Sequence, residues 1–319
     1  MMDKYGRKIN YLRISITDRC NYRCRYCMPE DGVCKKEHQD ILRFEDIIKV
    51  VSHGAAMGIS KIRLTGGEPL IRKGVVDLVR QIKSIDGIKE VAMTTNGSLL
   101  PRFAKELKEA GLDRVNVSLD SLNADKFKDI TRGADLKEVL DGIKLCQDLG
   151  MSPIKINVVL IGGFNDDEIV DFVSLTKDQD IDVRFIELMP IGEASQWSKG
   201  HFIPNTKVLE MVPELNEVEA QDISSPAKYY KLDGAKGTVG LINPISCTFC
   251  SNCNRIRLTS DGKLKPCLHS DDEIDLKDYI ENNNLDQAIQ ASIETKPKEH
   301  HINDEEFKPI KRNMNQVGG

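Results

Sequence analysis

The sequence has few aromatic residues, no long apolar run and no marked excess of either charge. Aromatic side chains make up 5% of its 319 residues, and 45 Lys and Arg stand against 50 Asp and Glu. No apolar run approaches the roughly 20 residues of a membrane-spanning helix, the densest being Ile156 to Phe164. Residues 1–12 lack the apolar segment of a secretory signal. We therefore expect a cytoplasmic protein that binds no membrane, and the net charge of -5 argues against nucleic acid as a partner.

A nucleotide-binding P-loop is also absent. No Gly-x4-Gly-Lys-Ser/Thr run occurs, so any phosphate group must be held by other means. Hydrophobic residues make up 40% and charged residues 30%, which excludes a disordered or fibrous chain. At roughly 150 residues per domain, the length allows two domains or one large α/β barrel.

Short β-rich runs alternate with longer helical patterns between residues 12 and 190. The predicted strands are Leu12–Thr17, Lys61–Thr65, Glu90–Thr95, Arg114–Asp120, Ile154–Ile161 and Val183–Met189. The predicted helices between them are Phe44–Met57, Gly74–Ser84, Pro101–Ala110, Leu136–Leu149 and Asp166–Lys177. Strict alternation indicates parallel strands with right-handed crossovers, as in a (β/α) barrel or a doubly wound sheet.

The pattern within the strands favours the barrel. Apolar residues take one face of the first strand, while Arg13, Ser15 and Thr17 take the other, and the next four strands repeat this split. A doubly wound sheet is covered on both faces, so its strands should be apolar throughout. We therefore predict an α/β fold, a partial (β/α)6 TIM-type barrel with a cation-lined interior. The loops after its strands would form the reactive face.

The regular alternation fades after Pro190. Gly237–Asn243 is predicted to be a further strand, and the charged tail from Asp271 to be helical until about Ile293. We expect two units, a partial barrel over residues 1–220 and a C-terminal region over residues 221–319.

Seven of the nine cysteines fall in two tight groups. The first group is Cys20, Cys24 and Cys27, and the second is Cys247, Cys250, Cys253 and Cys267. Cys146 lies on an apolar helical stripe, which is typical of a core residue, and Cys34 has no assigned role. An odd number of cysteines without a secretory signal argues against a disulfide framework, so the clustered thiols indicate metal binding.

The two groups differ in how far their spacing identifies the metal. Three thiolates do not complete a structural zinc site, although zinc with His38 as fourth ligand is an alternative. Three thiolates suit a 4Fe-4S cluster that keeps one iron open for another ligand. The four thiolates of the second group could hold either zinc or a second iron–sulfur cluster.

Two motifs resemble those of the radical S-adenosylmethionine (SAM) enzymes. Cys20-x3-Cys24-x2-Cys27, with Tyr26 before the third cysteine, is similar to the cluster-binding signature of that superfamily. Gly66-Gly67-Glu68-Pro69, after the second strand, resembles its loop for the methionine amino group. Alone, this tetrapeptide would be a simple turn. Both motifs stand at the ends of consecutive strands, which makes the resemblance specific.

A second resemblance is to the GTP 3′,8-cyclase family, whose members catalyse the first step of molybdenum cofactor biosynthesis. It lies in the run from Phe249 to Leu268 and in the terminal Gly318-Gly319. The resemblance begins at Arg13 and covers nearly the whole chain. It implies SAM and two 4Fe-4S clusters as cofactors. The cluster that binds SAM would lie on Cys20, Cys24 and Cys27, and the cluster that faces the substrate on Cys250, Cys253 and Cys267. Cys247 departs from the family pattern and is either a bystander or a competing fourth ligand.

The resemblance also implies the roles of individual residues. SAM would contact Tyr26, Gly67, Ser118 and Met189. GTP would contact Arg13, Lys61, Arg63, Thr94, Lys155, Arg184, Arg255, Ile256 and Arg257. Catalytic roles are implied for Arg255, Arg257, Gly318 and Gly319, the glycines as a tail that enters the active site. Cleavage of SAM would remove the 3′ hydrogen of GTP, and the ribose radical would attack C8 of guanine.

Residue chemistry independently supports an anion site. Arg13, Lys61, Arg63 and Lys155 fall on the inward face by alternation, and the guanidinium fork holds phosphate oxygens bidentately. An isolated arginine of this kind is usually a surface charge. Here the pattern recurs over five strands, which favours a concentrated positive interior.

The resemblance implies as partners the substrate GTP, an external one-electron donor, a downstream cyclic pyranopterin monophosphate synthase and a second copy in a homodimer. Two other functions stay open at this point. One is a different radical enzyme with an auxiliary cluster, such as a peptide maturase, and the other is a zinc-stabilised binding module without catalysis. Arg255, Arg257 and the Gly-Gly tail favour the nucleotide cyclase over the peptide maturase.

Overall fold

The computed structural model describes residues 1–32, 36–192, 195–220, 222, 224–247, 249–302, 304 and 310–318. Cys34, Gly319 and the His38 side chain lie outside the described part. The strands are β1 Tyr11–Ser15, β2 Lys61–Thr65, β3 Glu90–Thr95, β4 Arg114–Ser118, β5 Ile154–Leu160, β6 Ile181–Glu187, β7 Asn216–Val218, β8 Ala227–Lys231, β9 Val239–Ile242, β10 Arg255–Leu258, β11 Lys263–Lys265 and β12 Ile274–Asp275. The helices are α1 Phe44–Ala56, α2 Val75–Lys83, α3 Leu100–Glu109, α4 Ala124–Thr131, α5 Leu136–Asp148, α6 Ile169–Asp178, α7 Ser195–Gly200, α8 Thr206–Met211, α9 Lys277–Glu281, α10 Leu285–Glu294 and α11 Met314–Val317.

The strands form one sheet, in the order β12-β11-β10-β1-β2-β3-β4-β5-β6-β9-β8-β7. Strands β1 to β6 are parallel neighbours in chain order. Strand β10 adds in parallel beside β1, and β9 adds in parallel beside β6. Short antiparallel strands end the sheet at both edges, and no pairing among the described residues joins them. The barrel is therefore open, which confirms the predicted partial barrel.

The C-terminal part of the chain extends the sheet on both sides, which the sequence did not predict. It contributes β10 at one end of the six-strand unit and β9 at the other. Strands from both sides of residue 220 thus belong to one sheet. The division into units 1–220 and 221–319 stays a prediction.

The alternating residues sort to the two faces as predicted. Leu12 and Ile14 of β1 are at most 1% exposed and pack in the core beneath the helices. Helix α1 contributes Ile47, Val50 and Val51 to the same core, a spacing typical of one helix face. Because side chains alternate along a strand, the polar residues of these strands face the interior of the barrel. Burial of the apolar face against the helices therefore orients the site residues.

Two local features were not predicted. Helix α4 was not predicted, and the Asn123 side chain begins it by accepting hydrogen bonds from the backbone N–H groups of Asp125 and Lys126. The tail, which was predicted to be helical until about Ile293, forms α9 and α10 with a break between them. Asn283 interrupts them with a φ of 54°, a left-handed conformation that ends a helix.

In the described part of the chain, no helix is both long and apolar enough to cross a membrane.

Candidate active site

A cavity of about 900 Å³ inside the barrel is lined by cysteines of both groups. Cys20, Cys24 and Cys27 follow the C-terminal end of β1, whereas Cys250 and Cys253 precede the N-terminal end of β10. Strands β1 and β10 are parallel neighbours with Leu12 opposite Ile256. The two cysteine groups therefore lie at opposite ends of the barrel and face one shared space.

The first cysteine loop is held against the loop that follows β2. Gly67 donates its N–H to the Thr17 carbonyl at 2.8 Å, and Glu68 donates to the Arg19 carbonyl at 2.8 Å. A Cβ atom on Gly67 would stand 2.1 Å from the Arg19 carbonyl oxygen. Only glycine permits this approach, which explains the Gly-Gly pair in structural terms.

The first three cysteines have the donor set of a cluster site. The Cys20 sulfur accepts a hydrogen bond from the Tyr22 N–H at 3.3 Å, and a backbone N–H of Asn315 points to Cys27. Such N–H donors tune the potential of iron–sulfur clusters. Burial raises the pKa of Cys24 well above its usual range and that of Cys27 to about 12. As free thiols both would stay protonated at neutral pH, and a bound metal would displace those protons.

The spacing of the thiols also bears on which metal fits. Among the described residues, no three His, Cys, Asp or Glu side chains stand close enough to hold a single metal ion. In a 4Fe-4S cluster each thiolate binds a different iron, so the ligands stand further apart than around one zinc ion. Three thiolates from one loop can bind three irons of such a cluster and leave the fourth iron open for another ligand.

The residues predicted to contact SAM surround the first cysteine group. Tyr26, Gly67, Ser118 and Met189 all line the cavity. The Tyr26 hydroxyl donates to Asp120 at 2.7 Å, which fixes the ring. Burial raises the pKa of Asp120 to about 6. Ser118 ends β4 and the other three follow β1, β2 and β6, so four different strands contribute at their C-terminal ends, as is usual in a barrel active site.

Three arginines lie side by side across the middle of the cavity wall. Arg13 on β1 stands opposite Arg63 on β2 and opposite Arg257 on β10. Burial lowers the pKa of Arg13 and Arg63 to about 9 and that of Arg257 to about 10. All three stay charged at neutral pH, so this wall is strongly positive.

Several buried polar atoms in the cavity have no hydrogen-bond partner among the described residues. They include the Nε atoms of Arg13, Arg63, Arg114 and Arg184, the hydroxyl groups of Tyr11 and Thr94, and Nδ1 of His269. Buried donors without partners are costly. A bound anion with many oxygen acceptors would satisfy this set.

The two lysines predicted to contact GTP are paired with carboxylates. Lys61 forms an ion pair with Asp222, and Lys155 forms one with Asp182 at 2.7 Å. Burial and the nearby Arg184 lower the pKa of Lys155, although Asp182 partly offsets this. Both lysines line the cavity.

The residues after the second cysteine group divide between cavity and core. Arg255 lines the cavity, lies 5.4 Å from the Phe249 ring centroid and donates to the Ser224 carbonyl at 2.5 Å. Ile256 is 0% exposed and its side chain belongs to the apolar core on the other face of β10. Any contact of Ile256 with GTP would therefore use its backbone.

Three cysteines of the second group line the cavity, and the fourth lies at the surface. Cys250, Cys253 and Cys267 line the cavity, whereas Cys247 is exposed and is not among the described lining residues. Burial would raise the pKa of Cys253, but Lys296 and Arg255 lower it to about 7. The placement of Cys247 favours the bystander over a fourth ligand. Cys146 is 0% exposed in the core.

The C-terminal tail reaches the same cavity wall. Arg257 donates to the Gly318 carbonyl and, at 3.4 Å, to the Val317 carbonyl. A Cβ atom on Gly318 would stand 2.7 Å from a methyl group of Thr65. The tail thus enters the barrel where a side chain would collide.

Sequence reasoning missed several cavity residues. Tyr11 and Arg114 continue the inward alternation one step before Arg13 and Asn116, so the same period-two count could have found them. His269 and His300 form a ring pair at 4.7 Å beside the second cysteine group, and burial lowers the pKa of His269 to about 3. No local pattern identifies that pair, because the two residues meet only in the folded chain.

Two protein-family models match this chain. Residues 14–176 match the model of the radical SAM superfamily, and residues 181–302 match that of Molybdenum Cofactor Synthesis C. Proteins named GTP 3′,8-cyclase from Alkaliphilus oremlandii and Peptoclostridium acidaminophilum are both 56% identical over all of this chain, covering 100% and 98% of their own lengths. A GTP 3′,8-cyclase from Clostridium botulinum strain Langeland is 52% identical over the full length of both. The structure of Streptococcus suis SuiB bound to S-adenosylmethionine shares the fold at a TM-score of 0.62, with 13% identity over 89% of this chain and 68% of that one.

Proposed function

The chain belongs to the GTP 3′,8-cyclase family of the radical SAM superfamily, and from this premise we propose that it converts GTP to (8S)-3′,8-cyclo-7,8-dihydroguanosine 5′-triphosphate. This is the reaction that opens molybdenum cofactor biosynthesis. One observation carries the proposal. A single cavity joins both cysteine groups and holds arginines with unpaired buried Nε atoms between them.

The first cysteine group would hold the cofactors. A 4Fe-4S cluster on Cys20, Cys24 and Cys27, with SAM, would supply the one-electron chemistry that removes a hydrogen atom from the substrate. Tyr26, fixed by Asp120, would orient SAM from one side. Gly67 would let the cofactor approach the backbone closely, since it has no side chain.

The arginines between the two groups would hold the triphosphate. Arg13, Arg63 and Arg184 have the unpaired Nε atoms, and planar guanidinium groups bind phosphate oxygens in pairs. Held this way, the ribose would lie between the two ends of the barrel. The substrate would also displace water from the cavity, which protects reactive species from side reactions.

The second group would hold the guanine end of the substrate. A second 4Fe-4S cluster on Cys250, Cys253 and Cys267 would face the cavity with one iron free of a protein ligand. Arg257 and Gly318, which are hydrogen-bonded to each other, would close the same side of the site. Arg255 would bind the substrate beside them.

The proposed partners follow from this chemistry. An external one-electron donor would reduce the first cluster, and a cyclic pyranopterin monophosphate synthase would take the product. We propose a homodimer as the working form and the reducing cytoplasm as the location, because clustered thiols for iron binding persist there.

The proposal is tested by anaerobic incubation with GTP, SAM and a strong reductant. We expect GTP to disappear in step with formation of 5′-deoxyadenosine, and the reconstituted protein to be brown with about eight irons per chain. Formation of 5′-deoxyadenosine without loss of GTP would assign another substrate, as in a peptide maturase. A colourless protein with stoichiometric zinc would support the binding module instead.

A further inference from the structure

The segment of residues 296–300 joins the parts of the chain that carry the second cysteine group. Lys296 donates from its ammonium to the carbonyls of Arg255 and Pro266, both at 2.8 Å. Arg255 lies two residues after Cys253, and Pro266 immediately precedes Cys267. One side chain therefore fixes the distance between two of the three cavity cysteines.

Lys296 also lines the cavity beside the cysteines of this group. Cys250, Cys253 and Cys267 line the same cavity, and the charge of Lys296 acts on both Cys250 and Cys253. The two carbonyl acceptors therefore hold the ammonium within the second cysteine group.

Lys296 is also a buried charge. It is 2% exposed, and no ion pair between Lys296 and a carboxylate occurs in the described part of the chain. A buried ammonium is strongly disfavoured unless an anion compensates it. Lys265 shows the usual solution, since it is 0% exposed and pairs with Glu273 at 3.0 Å. For Lys296 the groups that can take this role are the cysteines that line the same cavity, which become thiolates when they bind iron.

Arg7 holds the same segment from the other side without adding net charge. It donates to the carbonyls of Cys250, Pro297 and Lys298 at 2.7 to 3.0 Å. Its charge is neutralised by Asp3, which pairs with it at 2.6 Å. Lys296 therefore differs from Arg7 in bringing an uncompensated positive charge to the cysteines.

Building on the second cluster of the proposed function, we propose that Lys296 is a positioning residue that acts as the buried counter-ion of that cluster. Three thiolates leave an iron–sulfur cluster with net negative charge, and each reduction adds another negative charge. A fixed cation in contact stabilises the reduced form more than the oxidised form, since the Coulomb attraction grows with charge. Lys296 therefore raises the reduction potential of the second cluster.

The test replaces the charge while the second cluster is observed alone. Lys296→Met and Lys296→Arg are made in a Cys24→Ala background, in which the first cluster is not assembled. Lys298→Gln is the matched control, because it removes the same charge from an exposed position two residues away. The reconstituted proteins are compared by iron analysis and by redox titration followed by electron paramagnetic resonance.

We expect Lys296→Met either to shift the midpoint potential of the second cluster to more negative values or to lose its roughly four irons. Lys296→Arg keeps the charge and should retain the cluster with a smaller shift, and Lys298→Gln should match the parent. A Lys296→Met protein with the parent's iron content and potential overturns the inference. Equal loss of iron from the Met and Arg variants overturns it too, since charge would then not be the cause.

The same experiment separates this inference from the function on which it rests. If the parent protein itself holds no second cluster, the proposed function fails. If the parent holds it and the Lys296 variants match the parent, only the counter-ion role of Lys296 fails.

Discussion

At the scale of single residues, the cavity concentrates arginines for which the described part of the chain provides no carboxylate partner. Arg13, Arg63 and Arg257 stand on adjacent strands, and burial lowers the pKa of each to between about 9 and 10. The lowered pKa values follow chiefly from burial of these charges, to which their mutual repulsion adds. A triphosphate supplies a counter-ion, so its binding should relieve the unfavourable charge.

Replacement of Arg63 tests this directly. We expect Arg63→Met to weaken GTP binding at least tenfold, because a hydrogen bond to a charged group contributes about 1.5–3 kcal/mol. Equilibrium binding of GTP without SAM measures the effect, and Arg102→Gln on the exposed side of α3 is the control. Wild-type affinity in Arg63→Met would exclude this arginine from the triphosphate site.

The two cysteine groups can be separated by single substitutions. We expect Cys24→Ala to lose about four of eight irons and all cleavage of SAM, because only the first cluster would bind the cofactor. Cys247→Ala should keep its full iron content, since that thiol is exposed at the surface. Iron analysis and 5′-deoxyadenosine formation are the measurements. Loss of the second cluster from Cys247→Ala would make Cys247 a ligand.

At the scale of elements, the short helix α11 brings the chain end to the first cysteine group. The Asn313 side chain accepts a hydrogen bond from the backbone N–H of Gln316. The Gln316 side-chain oxygen in turn accepts one from the Asn313 N–H at 3.0 Å, which completes a capping box. Asn315 donates from its side chain to the Asp18 carbonyl at 2.7 Å, and its backbone contacts Cys27. Docking of the tail and the structure of the first loop are therefore coupled.

The glycine that follows α11 should be sensitive to any side chain. Gly318 has a φ of 72°, and an added Cβ would meet Thr65. We expect Gly318→Ala to lower GTP turnover at least tenfold, since about 1–2 kcal/mol of backbone strain and a steric clash displace the tail. Iron content should stay at the wild-type value. Gly200→Ala, at a position with open space, is the control.

Unchanged turnover in Gly318→Ala would show that the tail plays no part in the reaction. Loss of iron together with turnover would instead place its role in assembling the site.

At the scale of the whole molecule, a partly buried network of ion pairs connects the tail to the far edge of the sheet. Arg312 donates to Asp261 at 3.0 Å and to Glu273 at 2.6 Å, and Lys36 from the loop beyond the first cysteine group also pairs with Asp261 at 2.8 Å. Burial would raise the pKa of both carboxyl groups, but these hydrogen bonds lower the pKa of each. The network thus connects three distant parts of the sequence.

The lowered pKa values predict how this network depends on pH. A carboxyl group whose pKa is lower in the folded than in the unfolded state stabilises the fold above its unfolded pKa, here about 3.8 for Asp261 and 4.5 for Glu273. That stability is lost as the pH falls through the folded value.

We expect Arg312→Met to lower the free energy of unfolding by about 3 kcal/mol at pH 7, because it leaves two carboxylates with less compensation. The gap between wild type and variant should be smaller at pH 3, where the unfolded carboxyl groups are largely protonated, and should close only as the pH falls through the lower folded pKa values. Denaturant unfolding of the metal-free proteins at both pH values measures it. A gap of the same size at pH 3 contradicts the ion-pair account.

Much of the six-strand unit was predictable from local pattern. Strands β2 and β3 begin and end where alternation predicts, because each strand must present one apolar face to the helices. Helix α4 was missed because its apolar residues are few, and a side-chain cap at Asn123 begins it. The roles of individual site residues stay predictions until the substitutions above are made.

The sequence by itself determined the βα alternation, the inward arginines and the two cysteine groups, since these depend on spacing along the chain. Only the tertiary structure decided that the second group lies at the opposite end of the barrel from the first. That placement follows from β10 adding in parallel beside β1, a pairing between residues that are distant in sequence. The same holds for Lys296, whose contacts with the second group exist only once the chain has folded, because no local spacing encodes long-range contacts.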